Sequence, residues 1–323
     1  MTTARRSTGD PARTVFLGSG SFALPILEAL AASPDVRIVA VVTAPDRPSG
    51  RRARPTPTPV AVRARAMGIP LLRPTRIRAP DAVAAIAAFE PELGVLADYG
   101  QIVPRTILDM PGHGILNIHP SLLPRHRGAT PIPATIAAGD LVAGVTVMLM
   151  DEGLDTGPIV AQGSWPLDGT ERAPDLEAEA ARRGAELLGR VLRPWLAGEV
   201  DAVAQDDAAA TLTRPFRRED GRLDPTRAAA TLERQVRANL PWPGSFLETN
   251  DGRLAILAAS LAAAEPDDPA GRLVRHDDRL ALVSADGRLV LDVVRPAGGR
   301  AMAGPDFLRG HPGMVGRAVV PGS

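Results

Sequence analysis

The chain has 323 residues, 45% of them apolar and 23% charged, with 37 basic side chains balancing 37 acidic ones. That length exceeds an ordinary single domain and leads to an expectation of two. The absence of cysteine excludes disulfides and thiolate chemistry. No apolar run reaches the roughly 20 residues of a membrane-spanning helix, and neutrality argues against a protein that coats nucleic acid nonspecifically.

Residues 1–13, basic and without a signal-type apolar core, read as a disordered lead-in. TVFLGSG (14–20) is a strand running into a glycine turn, SFALPILEALAAS a helix, and VRIVAVVT (36–43) a second strand. The Pro- and Arg-rich stretch 44–59 cannot be helical, because proline lacks the N–H and restricts its predecessor. Helix 60–67, a short strand near 69–72, helix 80–89 and strand 93–98 continue the alternation. Strands 114–119 and 143–150 flank helix 131–138. This order predicts an α/β, Rossmann-like, doubly wound and mostly parallel sheet over 14–199.

After helix 175–197 the pattern changes. Residues 200–218 read as a linker, helix 226–238 follows, and short glycine-bounded strands predict a small OB-like β-barrel within 219–320. The turn GSGSF (18–22) lacks the third glycine of a dinucleotide fingerprint, Ala23 standing in its place, and no acid ends the second strand, so nicotinamide binding is not expected. Histidines 113, 119, 126, 276 and 311 have no zinc-type spacing, so no metal is expected either.

The chemistry concentrates in GILNIHPSLLPRHRGATPI (114–132) and MDEGLDTGPI (150–159). Asn117 and His119 sit two apart on a strand and therefore share a face near its carboxyl end, where open α/β sheets bind ligands. Gly153 and Gly157 permit a tight turn that aims Asp155 at His119. Such a trio suits acyl transfer to an amine. Asn117 and a protonated His119 would stabilise the tetrahedral oxyanion, and the aspartate would raise the histidine pKa and fix its ring. Taken singly, Asn117 is equally a turn cap, His119 a structural histidine and Asp155 a loop brace; the combined pattern N-x-H-x-S-L-L-P-x-x-R-G followed by D-x-G-x-D-x-G is far more specific.

These motifs resemble the formyltransferase family that uses 10-formyltetrahydrofolate, particularly the branch acting on initiator methionyl-tRNA. The resemblance implies Asn117, His119 and Asp155 as catalytic residues. It implies Ser121, Leu122, Leu123, Pro124, Leu96, Tyr99, Gly100 and Asp151 around the folate, with Asp98 where many relatives carry a small residue. TAPDRPSGRR (43–52) resembles a loop that meets the acceptor end of the tRNA, implying contacts by Arg47, Arg51 and Arg52. VRANLPWPGSF (236–246) and VRPAGGRAMAGPDFLRG (294–310) resemble the family's C-terminal signatures, with Arg295 and Arg300 as further tRNA contacts. In LTRPFRREDGRLDP (212–225), arginines replace lysines and Pro225 stands where an aromatic is common.

The implied protein is a cytoplasmic monomer with folate and tRNA as substrates, and with no metal, nicotinamide, DNA or membrane partner. The catalytic trio alone would equally serve transfer to glycinamide ribonucleotide or an amino sugar nucleotide, or hydrolysis of formylfolate. A noncatalytic RNA-binding relative would have no physical reason to keep all three groups. The C-terminal module favours the tRNA branch.

Overall fold

The computed structural model describes residues 10–49, 54–249 and 252–320. The chain divides into two compact units. The first gathers residues up to 128 with 142–165 and 177–212; the second gathers 129–141, 166–176 and the chain from 213 onward.

In the first unit, β1 (Ala12–Gly18), α1 (Ala23–Ala32), β2 (Val36–Val42), β3 (Arg47–Ser49), β4 (Arg54–Thr56), α2 (Pro59–Ala66), β5 (Leu71–Leu72), α3 (Pro80–Ala87), β6 (Leu93–Ala97), α4 (Arg105–Leu108), β7 (Ile115–His119) and β8 (Arg127–Gly128) follow in order. After α5 (Pro131–Ala138) come β9 (Val142–Leu149), β10 (Ile159–Pro166), α6 (Ala173–Ala197) and β11 (Leu212–Thr213). Seven strands form one sheet in the order β10-β9-β7-β6-β1-β2-β5. From β5 to β7 the neighbours are parallel, and β9 runs antiparallel to β7. All five residues of β6 and of β7 are buried, the signature of strands covered on both faces.

Local chemistry explains the helix starts. Thr58 caps α2 by accepting the Ala61 N–H at 3.0 Å, and proline opens α2, α3 and α5 at positions where its missing N–H costs nothing. Among the described residues the Pro/Arg stretch is not helical before Pro59, which opens α2. It forms a two-stranded antiparallel ribbon in which Arg47 pairs with Thr56, a setting where proline is tolerated. Strand β10, at the sheet edge, was not expected from the sequence; its mixed burial and polar residues weaken the apolar signal.

The second unit is built on α7 (Ala229–Ala238), β12 (Ser245–Thr249), β13 (Gly252–Ala262), β14 (Leu273–His276), β15 (Arg279–Val283), β16 (Arg288–Pro296), β17 (Met302–Ala303) and α8 (Gly304–Gly310). Its antiparallel sheet runs β12-β13-β16-β15-β14, with β17 added on β16, giving a half-barrel. Leu232 and Val236 of α7 join Leu247, Ile256, Leu280, Leu289 and Phe307 in its core. Helix α5 belongs here: the Arg234 Nε of α7 donates to the Ala137 carbonyl at 3.3 Å. The α/β sheet and the separate β module agree with the class expected from the sequence.

Candidate active site

Strand β7 brings Asn117 and His119 to its carboxyl end, 5% and 4% exposed. Asn117 stands opposite Leu96 on β6 and Met148 on β9, and His119 stands opposite Thr146. Across from them, the loop after β9 delivers Asp155. Its Oδ1 accepts the Asn117 amide at 3.3 Å, its Oδ2 accepts the Gly128 N–H at 2.7 Å, and His119 Nδ1 lies 3.6 Å from Oδ2. The three expected catalytic groups therefore converge.

The loop glycines act differently from expectation. Asp155 itself adopts the left-handed backbone, φ 53°, which aspartate tolerates better than most residues. Gly153 and Gly157 are needed for close approach instead. A Cβ on Gly157 would lie 1.9 Å from the Leu149 carbonyl oxygen, and one on Gly153 would meet the Thr156 hydroxyl. Gly128, at φ 107°, supplies the N–H that fixes the carboxylate, a conformation that excludes other residues.

His119 Nε2 lies 3.0 Å from the His126 carbonyl oxygen. A carbonyl can only accept, so the neutral ring carries its proton on Nε2 and turns a bare Nδ1 toward Asp155. Burial is the largest influence on this ring and holds its pKa below the ordinary 6.5; the attraction of Asp155 opposes that shift without overcoming it. This corrects the sequence reading. The aspartate does favour the charged ring, but the dry surroundings win, and His119 rests as a neutral base.

Several positioning residues escaped the sequence reading. Thr146 Oγ1 donates to the Ser121 carbonyl at 2.7 Å and accepts the Leu123 N–H at 3.2 Å, while Gln162 Nε2 donates to the Leu123 carbonyl at 2.8 Å. They pin the Ser121–Pro124 segment. Buried Arg127 donates twice to Gln205 Oε1, at 3.0 and 2.8 Å, and once to Asp207. Gln205 Nε2 in turn reaches the carbonyls of Asp155 at 2.9 Å and Gly157 at 2.7 Å. Thr211 Oγ1 accepts the His126 N–H at 2.8 Å. The start of the expected linker thus braces the loop that carries Asp155. The one available signal was the polar pair Arg127 and Gln205, which no local pattern connects.

The residues assigned to folate are placed less uniformly. Ser121 is buried and donates to the Arg125 carbonyl at 2.6 Å; Leu123 is buried, and Leu122 and Pro124 are half-buried. Leu96 and Tyr99 belong to an apolar cluster with Val15, Leu17, Val42 and Ile107, and Gly100 is exposed. The Tyr99 hydroxyl is buried with no hydrogen-bond partner among the described residues, and burial pushes the phenol up to about 12. Asp151 accepts from the Gly153 N–H and the Thr156 hydroxyl. It lines a cavity of about 650 Å³ with His113, Glu152 and Trp195, at the end of β7 opposite His119.

Asp98 follows β6 at φ 49°, beside the β1–α1 turn. It accepts the Gly20 N–H, and a Cβ on Gly20 would lie 1.8 Å from its Oδ2. Crowding by protein, then repulsion from Glu177, lift its carboxyl to about 6 although water still reaches it. Arg47 is exposed on β3; Arg51 and Arg52 lie outside the described residues. Arg295 and Arg300 are exposed in the second unit. Among the described residues no three or more His, Asp or Glu side chains are gathered for a metal, and no helix is long and apolar enough to cross a membrane.

The chain matches the family profile "Formyl transferase" over residues 12–192 and "Formyl transferase, C-terminal domain" over 215–312. It is 44% identical over 300 residues to a methionyl-tRNA formyltransferase of Chloroflexus aurantiacus, covering 92% of this chain and 96% of that protein. A protein of the same name from Halorhodospira halophila is 42% identical over 312 residues, covering 96% and 98%. Among solved structures, the sugar 3N-formyl transferase WlaRD superposes with a TM-score of 0.64 at 16% identity, over 88% of this chain and 97% of that one. HypX from Aquifex aeolicus gives 0.60 at 17% identity, over 94% of this chain and 50% of its own. At such identities the likeness is one of fold.

Proposed function

The chain belongs to the formyl transferase family, and from that premise we propose that it moves the formyl group of 10-formyltetrahydrofolate onto the α-amino group of initiator methionyl-tRNA. The observation that carries the chemistry is the meeting of Asn117, His119 and Asp155 at one strand end. The acceptor is supported by relatives, matched over almost the whole of both chains, whose names specify methionyl-tRNA.

The α-amino group of an aminoacyl ester titrates below the roughly 7.7–8.0 of a free α-amine, because the ester withdraws electrons, so a substantial fraction is unprotonated near neutral pH. It attacks the formyl carbon, and the carbonyl oxygen takes negative charge. Asn117 has two N–H groups, one directed at Asp155, and the other serves the oxyanion. The adduct's nitrogen then holds one proton too many, and the folate nitrogen needs one before it can leave. Neutral His119 takes that proton at Nδ1 and returns it to the leaving nitrogen, with Asp155 stabilising the imidazolium meanwhile. Gly128, Gln205 and the His126 carbonyl keep carboxylate and ring aligned without reorganisation. No covalent enzyme intermediate is needed.

In this reading the Ser121–Pro124 segment, with Leu96, Tyr99 and Gly100, receives the folate, and Asp151 supports the loop that faces it. Arg47, Arg51 and Arg52 meet the acceptor end of the tRNA, and the enzyme works as a cytoplasmic monomer. The test is incubation with 10-formyltetrahydrofolate and charged initiator tRNA, followed by assay of formylmethionine. His119→Ala should lower turnover by about 10²–10⁴ while tRNA binding stays within a few-fold. Undiminished turnover would remove His119 from the mechanism.

A further inference from the structure

Of the three tryptophans, Trp165 is buried and Trp195 is half-buried with its Nε1 bonded to the His113 carbonyl, but Trp242 is 55% exposed. It is not an isolated apolar residue. The half-buried ring of Phe216 lies 6.4 Å from the indole, tilted by 54°. Arg217 and Arg218 follow directly and are exposed.

The backbone beneath these rings is held rigidly. Gln235 Nε2 donates to the carbonyls of Asp220 at 2.9 Å and Arg222 at 3.0 Å, and Asn239 Nδ2 donates to the Asp220 carbonyl at 3.0 Å. The Leu223 N–H reaches the Phe246 carbonyl at 2.9 Å, and the Gly244 N–H reaches the Asn239 carbonyl at 2.8 Å. A Cβ on Gly221 would lie 2.1 Å from the Gly244 carbonyl oxygen, so the backbone around residues 220–223 packs closely against that of 239–246. Pro241 and Pro243 stiffen the turn that carries the indole. The outcome is an aromatic pair on a braced backbone, followed in the chain by two exposed arginines, the composition that receives an unpaired nucleobase on a ring face and the adjoining phosphates on cations.

We propose that Trp242 and Phe216 form a platform on which an unpaired base of the tRNA stacks, with Arg217 and Arg218 contacting the neighbouring phosphates. The proposal rests on the tRNA reading above. Stacking on an aromatic ring accepts any base, so the platform contributes affinity and register rather than sequence choice.

The experiment uses the full-length enzyme and uncharged initiator tRNA. Titration should quench tryptophan emission, since Trp242 is the most exposed of the three indoles, and a short single-stranded oligoribonucleotide should compete where duplex RNA of equal length does not. Trp242→Ala should raise KM for methionyl-tRNA about tenfold with kcat within twofold, and Trp242→Phe should recover most of that loss. Replacing Arg217 and Arg218 by Ser should lower the slope of log affinity against log salt by about 2. Formylation by the wild type with unquenched emission and an unchanged KM in Trp242→Ala overturns the platform and leaves the function standing. A wild type that binds tRNA yet never formylates it overturns the function, while quenching that Trp242→Phe abolishes still supports the platform.

Discussion

Two aspartates of the first unit share a backbone conformation and little else. Asp98 and Asp155 both sit in the left-handed region, at φ 49° and 53°, the first directly after β6 and the second in the loop after β9. Asp155 is met by donors, the Gly128 N–H and the Asn117 amide, and stands beside an imidazole. Asp98 has the Gly20 N–H but is crowded by protein and faces the carboxylate of Glu177. The backbone thus settles where each carboxylate is aimed, while crowding and a facing carboxylate push Asp98 alone toward its acid form.

The comparison breaks if the two residues matter equally to transfer. Asp155→Ala is expected to lower kcat/KM by about 10²–10⁴, since it removes the partner of the imidazolium and leaves the Gly128 N–H and Asn117 amide without their acceptor. Asp98→Ala should stay within a few-fold. Steady-state formylation assays on both variants decide the matter. A comparable loss in Asp98→Ala would bring that carboxylate into the reaction itself.

The next effect is structural. Gly157→Ala places a methyl against the Leu149 carbonyl oxygen, which belongs to the sheet and cannot yield. A loss of about 1–3 kcal/mol is expected, with activity lost because Asp155 moves. Gly153→Ala meets only the Thr156 side chain, which can rotate, and should cost less. Thermal unfolding of the pair distinguishes the two positions, and equal melting temperatures would mean that the loop, not the sheet, gives way.

These positions mark how far the sequence could be read. Strand periodicity placed Asn117 and His119 on one face, and the acidic loop was identifiable because glycines punctuate it. Asp155's own left-handed backbone was not legible, nor was the bracing of that loop by Gln205, which lies 50 residues away. The segment containing Gln205 and Thr211 is polar and without periodicity, so it reads as a linker, although its hydrogen bonds belong to the first unit. The allegiance of α5 to the second unit was equally hidden, because an apolar helix between two strands reads as a crossover. Local pattern reports periodicity and turns; it carries no information about which distant carbonyl a side chain will satisfy.

The charge state of His119 gives a third test. Its pKa in the folded protein lies below the 6.5 of an unstructured chain, so between those values the unfolded state holds more protons. Stability therefore rises with pH through that window and declines as pH falls beneath 6.5. The His119 ring, followed by NMR in the folded protein, should therefore titrate below 6.5. A midpoint above 6.5 would mean that Asp155 outweighs burial after all. His119→Asn should flatten the stability slope in the same window.

The smallest expected effect concerns Asp98, and its sign is opposite. Its folded pKa of about 6 lies above the ordinary 3.8, so between these values the native state holds more protons than the unfolded one. Stability is therefore lost as pH rises through that window, and at neutral pH the carboxylate opposes folding. Asp98→Asn keeps an oxygen for the Gly20 N–H while removing the repulsion with Glu177. The whole shift would correspond to about 3 kcal/mol, but water reaches this group and screens it, so roughly 1 kcal/mol of stabilisation is expected at pH 7. Most of that gain should vanish below pH 4, where Asp98 is protonated in either state. Denaturant unfolding of both proteins at the two pH values measures it, and a variant less stable than the wild type at pH 7 would show that the Gly20 contact outweighs the repulsion.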